Sequence, residues 1–229
     1  GSPWITNDMG KLKKKKKNLR TRCCAHVQYG SLSVLIDTSP DIKSQFLTNK
    51  IKNLDAIIYT HEHADQTSGI FEMRPFYWKN MKKIQVYASN RTIKALLSKY
   101  TFCFKPRHGY KPIMKANIVK NSFKIKNTKH TMKIIPFDVI HGMIKATGFL
   151  FEKVAYISDC NKIPNSSIKN LYNLNYLVLD CLKLSKHPSH FNLSEALELI
   201  NLVSPKKTIL TNLHTGLDYN DLTKMLPVN

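Results

Sequence analysis

The chain has 229 residues and a mass of 26.4 kDa, enough for one sizeable hydrophobic core. With 42% hydrophobic and 22% charged residues and a mean hydropathy of -0.30, it reads as globular rather than disordered, and no apolar run approaches the roughly 20 residues a membrane helix needs. The net charge of +21, from 36 basic against 15 acidic residues, suggests a phosphorylated or polyanionic partner, although only five of the 36 are Arg and the abundance of Lys, Asn and Ile also fits a general compositional drift.

In chain order, residues 1–22 carry the run Lys13–Lys17 and read as a basic loop or arm, with 23–229 forming a single domain. Ala25–Tyr29 and Leu32–Asp37, separated by Gly30-Ser31, predict a hairpin. Asp41–Asn49 predicts a short helix, and Leu54–Tyr59 a buried strand running straight into His61. Ile84–Tyr87 is a strand and Arg91–Tyr100 a helix, while Pro106, Gly109 and Pro112 make 101–122 a long loop. Short strands follow at Phe123–Ile125, Met132–Phe137, Thr147–Phe151, Val154–Ser158 and Tyr176–Asp180. Ser194–Val203 is an amphipathic helix by its i, i+3, i+4, i+7 spacing, Lys207–Thr211 a strand, and Tyr219–Leu226 a last helix. Short strands interleaved with helices predict two sheets flanked by helices. Five irregularly spaced cysteines without a C-x-x-C pair favour reduced thiols and a cytoplasmic protein; no apolar stretch of secretory type follows the lysine run.

The informative segment is His61-Glu62-His63-Ala64-Asp65. In an extended exit from a strand, His61, His63 and Asp65 at i, i+2 and i+4 point the same way, and two imidazoles with a carboxylate suit a borderline cation such as Zn²⁺. His141, Asp159 and His214 each come at or soon after the end of an apolar strand. Ligands gathered from several strand ends suit a di-metal hydrolase, whose two cations sit about 3.5–4 Å apart.

Thr60-His-Glu-His-Ala-Asp65, His141-Gly142, Tyr156-Ile-Ser-Asp159 and Leu210-Thr-Asn-Leu-His214 resemble the ordered motifs of the metallo-β-lactamase fold. Arg20-Thr-Arg22 with Asp37-Thr-Ser-Pro40, Gly109-Tyr-Lys-Pro112 and His187-Pro-Ser-His190 before Glu195-Ala196 carry a narrower resemblance. It is to the branch of phosphoribosyl 1,2-cyclic phosphate phosphodiesterase and, more distantly, RNase Z. The resemblance implies a four-layer αβ/βα sandwich of two mixed sheets and a phosphodiester hydrolase using a metal-bound hydroxide. It implies two divalent ions, Zn or Mn. His61, His63 and His141 would hold the first, Asp159 would bridge, and Asp65, Asp159 and His214 would hold the second. It further implies Asp65 and His190 as catalytic residues, His190 giving a proton or hydrogen bond to the phosphate or leaving oxygen, a small phosphorylated substrate and a homodimer.

This chain departs from the family pattern at Gln66, where the family has His, so the second ion is expected to bind more weakly. Asp37, at a strand end, is expected to brace the His61–Asp65 loop. His108 and Tyr110 are candidates for bordering the substrate, and His187 is an alternative to His190, though more readily a surface residue. Two other readings stand beside the phosphodiesterase: an RNase Z-like endoribonuclease, and a catalytically weak nucleic-acid-binding member of the fold.

Overall fold

The computed structural model describes residues 16–227. The expectations for residues 1–15, including most of the lysine run, lie outside the described residues. The chain divides into two compact units, one formed by Cys23–Pro136 and the other by Phe137–Asn229 together with the segment up to Arg22.

The Cys23–Pro136 unit is built on a five-stranded mixed sheet in the order β1-β2-β3-β4-β5. β1 (Ala25–Tyr29) and β2 (Leu32–Ile36) form the expected antiparallel hairpin, with Tyr29 opposite Leu32 and Gly30 at φ +57 in the turn. A Cβ on Gly30 would lie 2.3 Å from His130 Nε2, so this turn needs glycine for space as well as for its left-handed backbone. β2 pairs in parallel with β3 (Ala56–Ile58), β3 with β4 (Ile84–Ala88), and β4 with β5 (Met114–Ile118). Every residue of β2 and β3 is buried, as continuous apolar runs in parallel sheets require. Around the sheet run α1 (Ile42–Thr48), α2 (Ala64–Thr67), a 3-10 turn at Ser68–Met73, α3 (Arg74–Asn80), α4 (Asn90–Lys99) and α5 (Thr101–Phe104). α4 starts where the Ser89 hydroxyl accepts the Thr92 amide. Leu35, Ile57, Tyr59, Ile70, Met73, Val86 and Leu96 fill the core.

The expected loop over 101–122 is interrupted by α5 at its start and β5 towards its end, because Cys103 and Met114 are anchored in this core while the prolines fall in the connection between them. β6 (Phe123–Lys126) then pairs antiparallel with the start of β7 (Thr131–His141), a strand that passes from one unit into the other.

The second sheet is ordered β11-β10-β9-β8-β7-β6. β8 (Ile144–Phe151) pairs antiparallel with β9 (Val154–Ile157), which pairs in parallel with β10 (Tyr176–Asp180), and β10 pairs in parallel with β11 (Lys207–Thr211). α6 (Asn165–Ile168), α7 (Leu193–Val203) and α8 (Tyr219–Met225) accompany it. α7 opens on a capping box: Asn192 Oδ1 accepts the Glu195 amide at 2.9 Å, and Glu195 Oε2 accepts the Asn192 amide at 3.1 Å. The core here is Val139, Ala155, Ile157, Leu177, Leu179, Ala196 and Leu199. Asn18 is buried against α8, its amide donating to Asp218 and its oxygen accepting the Tyr219 amide. All five cysteines are free thiols. No helix among the described residues is long and apolar enough to cross a membrane.

Candidate metal centre

In the Cys23–Pro136 unit the chemistry begins where β3 ends. Asp37 follows β2 in a left-handed conformation, φ 63, and is fully buried. Its Oδ1 accepts the Thr60 amide and its Oδ2 the Thr60 hydroxyl, both at 2.8 Å. With that hydroxyl committed, His61 Nδ1 must donate to Thr60 Oγ1, 3.0 Å away, which leaves the lone pair of His61 on Nε2. That Nε2 lies 3.0 Å from His63 Nδ1. Two ligands of a tetrahedral zinc, each about 2.0–2.1 Å from the ion, stand roughly 3.3 Å apart, so this nitrogen pair fits a shared cation. The extended alternation expected for this segment stops at His63. His63 caps α2 with extended backbone, and Asp65 sits half-buried in the first helical turn, because the sequence turns helical from Ala64. Gln66 is buried behind it, its backbone oxygen accepting the Thr38 amide at 2.7 Å. Glu62, between the two histidines in sequence, pairs with Arg91, Nε to Oε1 at 2.7 Å. Burial would raise its carboxyl, but the hydrogen bond and charge of Arg91 outweigh that and hold it below its ordinary value.

The unit containing Phe137–Asn229 presents its own cluster from three strand ends and one loop. His141 closes β7, Asp159 follows β9, Asp180 closes β10, and His190 comes from the loop before α7. One ligand atom from each of His141, Asp159 and His190 lies within 4.8 Å of the others. His141 Nδ1 donates to the Ser189 carbonyl at 2.7 Å, which turns Nε2 outward as an acceptor in the manner of a metal-bound histidine. Gly142 makes room for this: at φ +59, a Cβ there would press on Ser189 Cβ at 3.1 Å.

His190 Nδ1 donates to Asp180 Oδ2 at 2.9 Å, and its Nε2 stands 3.8 Å from Asp159 Oδ1. Asp180 Oδ2 also accepts the Cys160 and Phe191 amides, while its buried Oδ1 has no hydrogen bond among the described residues. Burial pushes the Asp180 carboxyl up to about 6, against the pull of His190. His187 packs its ring 5.1 Å from that of His190, and slight burial together with the neighbouring charge of His190 lowers its pKa.

A family model described as a β-lactamase superfamily domain matches residues 33–212. A crystal structure of a new diphosphatase from the PhnP family is 31% identical, covers 91% of this chain and 80% of its own, and superposes with a TM-score of 0.82. The chain belongs to the PhnP family of the β-lactamase superfamily. An octanoyltransferase from Porphyromonas gingivalis is 28% identical over 183 residues; the match takes in 79% of this chain but only 36% of that protein, so the chain spans about a third of this curated relative. The Zn²⁺-bound PqqB of Methylobacterium extorquens, 13% identical, shares the fold, with a TM-score of 0.76 over 97% of this chain and 89% of its own.

PhnP-family membership bears out the two-sheet sandwich and the hydrolase fold. Within it, the structure pairs His61 with His63 in one unit, and it joins His141, Asp159 and His190 in the other. His214 is not part of that trio. β11 ends at Thr211 and Asn212 turns left-handed at φ 60, so the alternation that would put 212 and 214 on one face breaks. Asn212 instead donates to the Ser158 carbonyl, next to Asp159, while His214 is exposed and its Nδ1 accepts the Gly216 amide. His108 and Tyr110 lie together, exposed, in the turn before β5. Sequence reasoning missed Asp180, Thr60 and Ser189 as supports. Asp180 had a usable signal: Leu177-Val-Leu-Asp180 puts an Asp at the end of an apolar strand, as Asp37 and Asp159 also sit.

Proposed function

We propose that this PhnP-family protein is a metal-dependent phosphodiesterase acting on a small phosphorylated substrate. The observation that carries the reading is the common tautomer logic of the histidines. His61 and His141 are each fixed through Nδ1, by Thr60 and by the Ser189 carbonyl, so that Nε2 is left to ligate. In this reading His61, His63 and His141 would hold a first cation, and Asp65 and His214 a second, with Asp159 serving both. Bound divalent cations supply an activated water and neutralise charge on the phosphoryl oxygens.

The chain's own residues supply the proton. Asp180 holds His190 through Nδ1, and a carboxylate in that position favours the doubly protonated ring. Nε2–H of His190 then serves as donor to the departing alkoxide. Asp65, in the first turn of α2, is the other catalytic residue beside His190 and orients the attacking water. The net charge of +21 draws phosphorylated substrates towards the protein. Five free thiols suit a cytoplasmic setting. Acyl transfer, suggested by the name of the octanoyltransferase, finds less support. Burial raises the thiols of Cys24, Cys103, Cys160 and Cys181, leaving them poor nucleophiles.

The second cation is the looser one. His214 accepts the Gly216 amide on Nδ1, so it has to give up that bond and move its proton to Nδ1 before ligating through Nε2, and Gln66 replaces a histidine. Titration of metal-stripped protein should therefore resolve one tight and one weaker ion, and Gln66→His should tighten the weaker one by roughly tenfold. Turnover of bis(p-nitrophenyl) phosphate with Mn²⁺ or Zn²⁺ tests the whole reading. It should need the metal and fall at least 10³-fold, an order-of-magnitude expectation, in Asp159→Ala. Turnover indifferent to both would refute it.

A further inference from the structure

We propose that a cavity wholly within the Cys23–Pro136 unit, between the 3-10 turn at Ser68–Met73, α3, α5 and the turn at 107–111, binds a nucleoside phosphate. Its aromatic rim would stack the base, and two arginines would take the phosphate. The cavity is about 550 Å³, within the roughly 300–1,000 Å³ of small-ligand sites. Its walls are largely apolar and unusually exposed: Phe71 is 44%, Trp78 55%, Phe102 43% and Tyr110 68% accessible. The Phe71 and Phe102 rings stack on each other, 5.2 Å apart and 5° from parallel. Aromatic faces gathered at an open hollow are the platform on which bases stack, at about 1–3 kcal/mol each.

The charge on the same cavity has one sign. Arg74, Arg107, His108 and Lys111 line it, and no carboxylate does. Lysine drift does not explain this, because two of the chain's five arginines are here. Arg20 is engaged with the carbonyls of His214 and Leu217, and Arg91 with Glu62. Arg74 and Arg107 form no side-chain hydrogen bond or ion pair among the described residues, which leaves two planar forks for a phosphate. Arg74 and Cys103 both line the cavity, where burial pushes the Cys103 thiol up to about 11 against the pull of the Arg74 charge.

The Arg107–Tyr110 turn is closed by reciprocal backbone bonds of 2.9 and 3.3 Å, with His108 and Gly109 left-handed at φ 46 and 81, so the backbone from which Arg107 and Tyr110 project is set. The cavity is also tied to the histidine loop. Phe71 packs edge-on against Tyr100, Tyr100 shares a hydrogen bond with Thr67, and Thr67 donates to the His63 carbonyl.

The claim that this ligand is the substrate rests on the phosphodiesterase reading; the binding claim does not. Calorimetric titration of the full, metal-stripped chain tests the binding with AMP, adenosine and ribose 5-phosphate. AMP should bind at least tenfold more tightly than either fragment. Phe102→Leu and Arg107→Gln, both at exposed positions and checked for native circular dichroism, should each weaken AMP at least fivefold. AMP binding no tighter than the fragments, or untouched by both variants, would overturn the proposal. So would a dimer that Trp78→Ser converts to monomers in a chain with no AMP affinity, which would assign this face to a second copy. AMP binding without metal-dependent turnover sinks only the enzymatic reading, and turnover without AMP binding sinks only this one.

Discussion

The two histidine clusters reach similar chemistry by different routes. In the Cys23–Pro136 unit, His61, His63 and Asp65 come from one run of five residues, and a single buried carboxylate, Asp37, fixes the run through the amide and hydroxyl of Thr60. In the other unit, His141, Asp159, Asp180 and His190 come from three strand ends and a loop, so sheet register rather than local sequence sets their positions. Local clusters depend on one brace, whereas convergent clusters depend on the sheet. That difference predicts where each one breaks.

Apart from the proposed metal ligands, the largest effect is expected at His190, which ligates nothing in the proposed arrangement and acts only as proton donor. His190→Ala should lower turnover of an alkyl phosphodiester by about 10²–10⁴-fold, as loss of a general acid typically does. It should barely change turnover of bis(p-nitrophenyl) phosphate, whose leaving group departs without a proton. Equal losses on both substrates would recast His190 as a metal ligand. Asp180→Asn should show a milder form of the same split, since the amide still accepts from His190 Nδ1 but no longer favours its charged form.

The next effect tests the brace. Asp37→Ala leaves the buried Thr60 amide and hydroxyl without their acceptor, a cost of about 2–4 kcal/mol read from the denaturant midpoint. Affinity for the first metal should fall by roughly 10–100-fold, the usual cost of losing a residue that orients a ligand. If metal affinity holds while stability drops, Asp37 braces the fold alone. The smallest effect concerns the outer face of the same loop. Arg91→Ala removes an ion pair to Glu62 whose arginine is 54% exposed, and should cost less than about 1 kcal/mol while leaving metal affinity unchanged.

How much the sequence disclosed follows the same division. The five-residue run at 61–65 was legible because spacing and residue type coincide within one segment. Its helical half was not, because strict alternation carries a strand past His63, whereas the backbone turns at Ala64. Asp159 and His141 could be picked out because each ends an apolar strand. Asp180 was passed over because a buried Asp at a strand end reads as ordinary until His190 is seen to lean on it. The left-handed conformation of Asn212 has no signal in composition or period, so strand alternation alone does not give the direction of His214. Among the elements, α5 and β5 were hidden behind prolines that sit between them rather than inside them.

One of the two compact units is continuous along the chain, and the other is not. Asn18 is held by Asp218 and Tyr219 across some two hundred residues, while Cys23–Pro136 closes on itself. During synthesis on the ribosome, the inner stretch can therefore assemble as soon as it emerges. The residues around Asn18 must wait, unpartnered, until α8 has been translated, so they become the timer for completion of the fold.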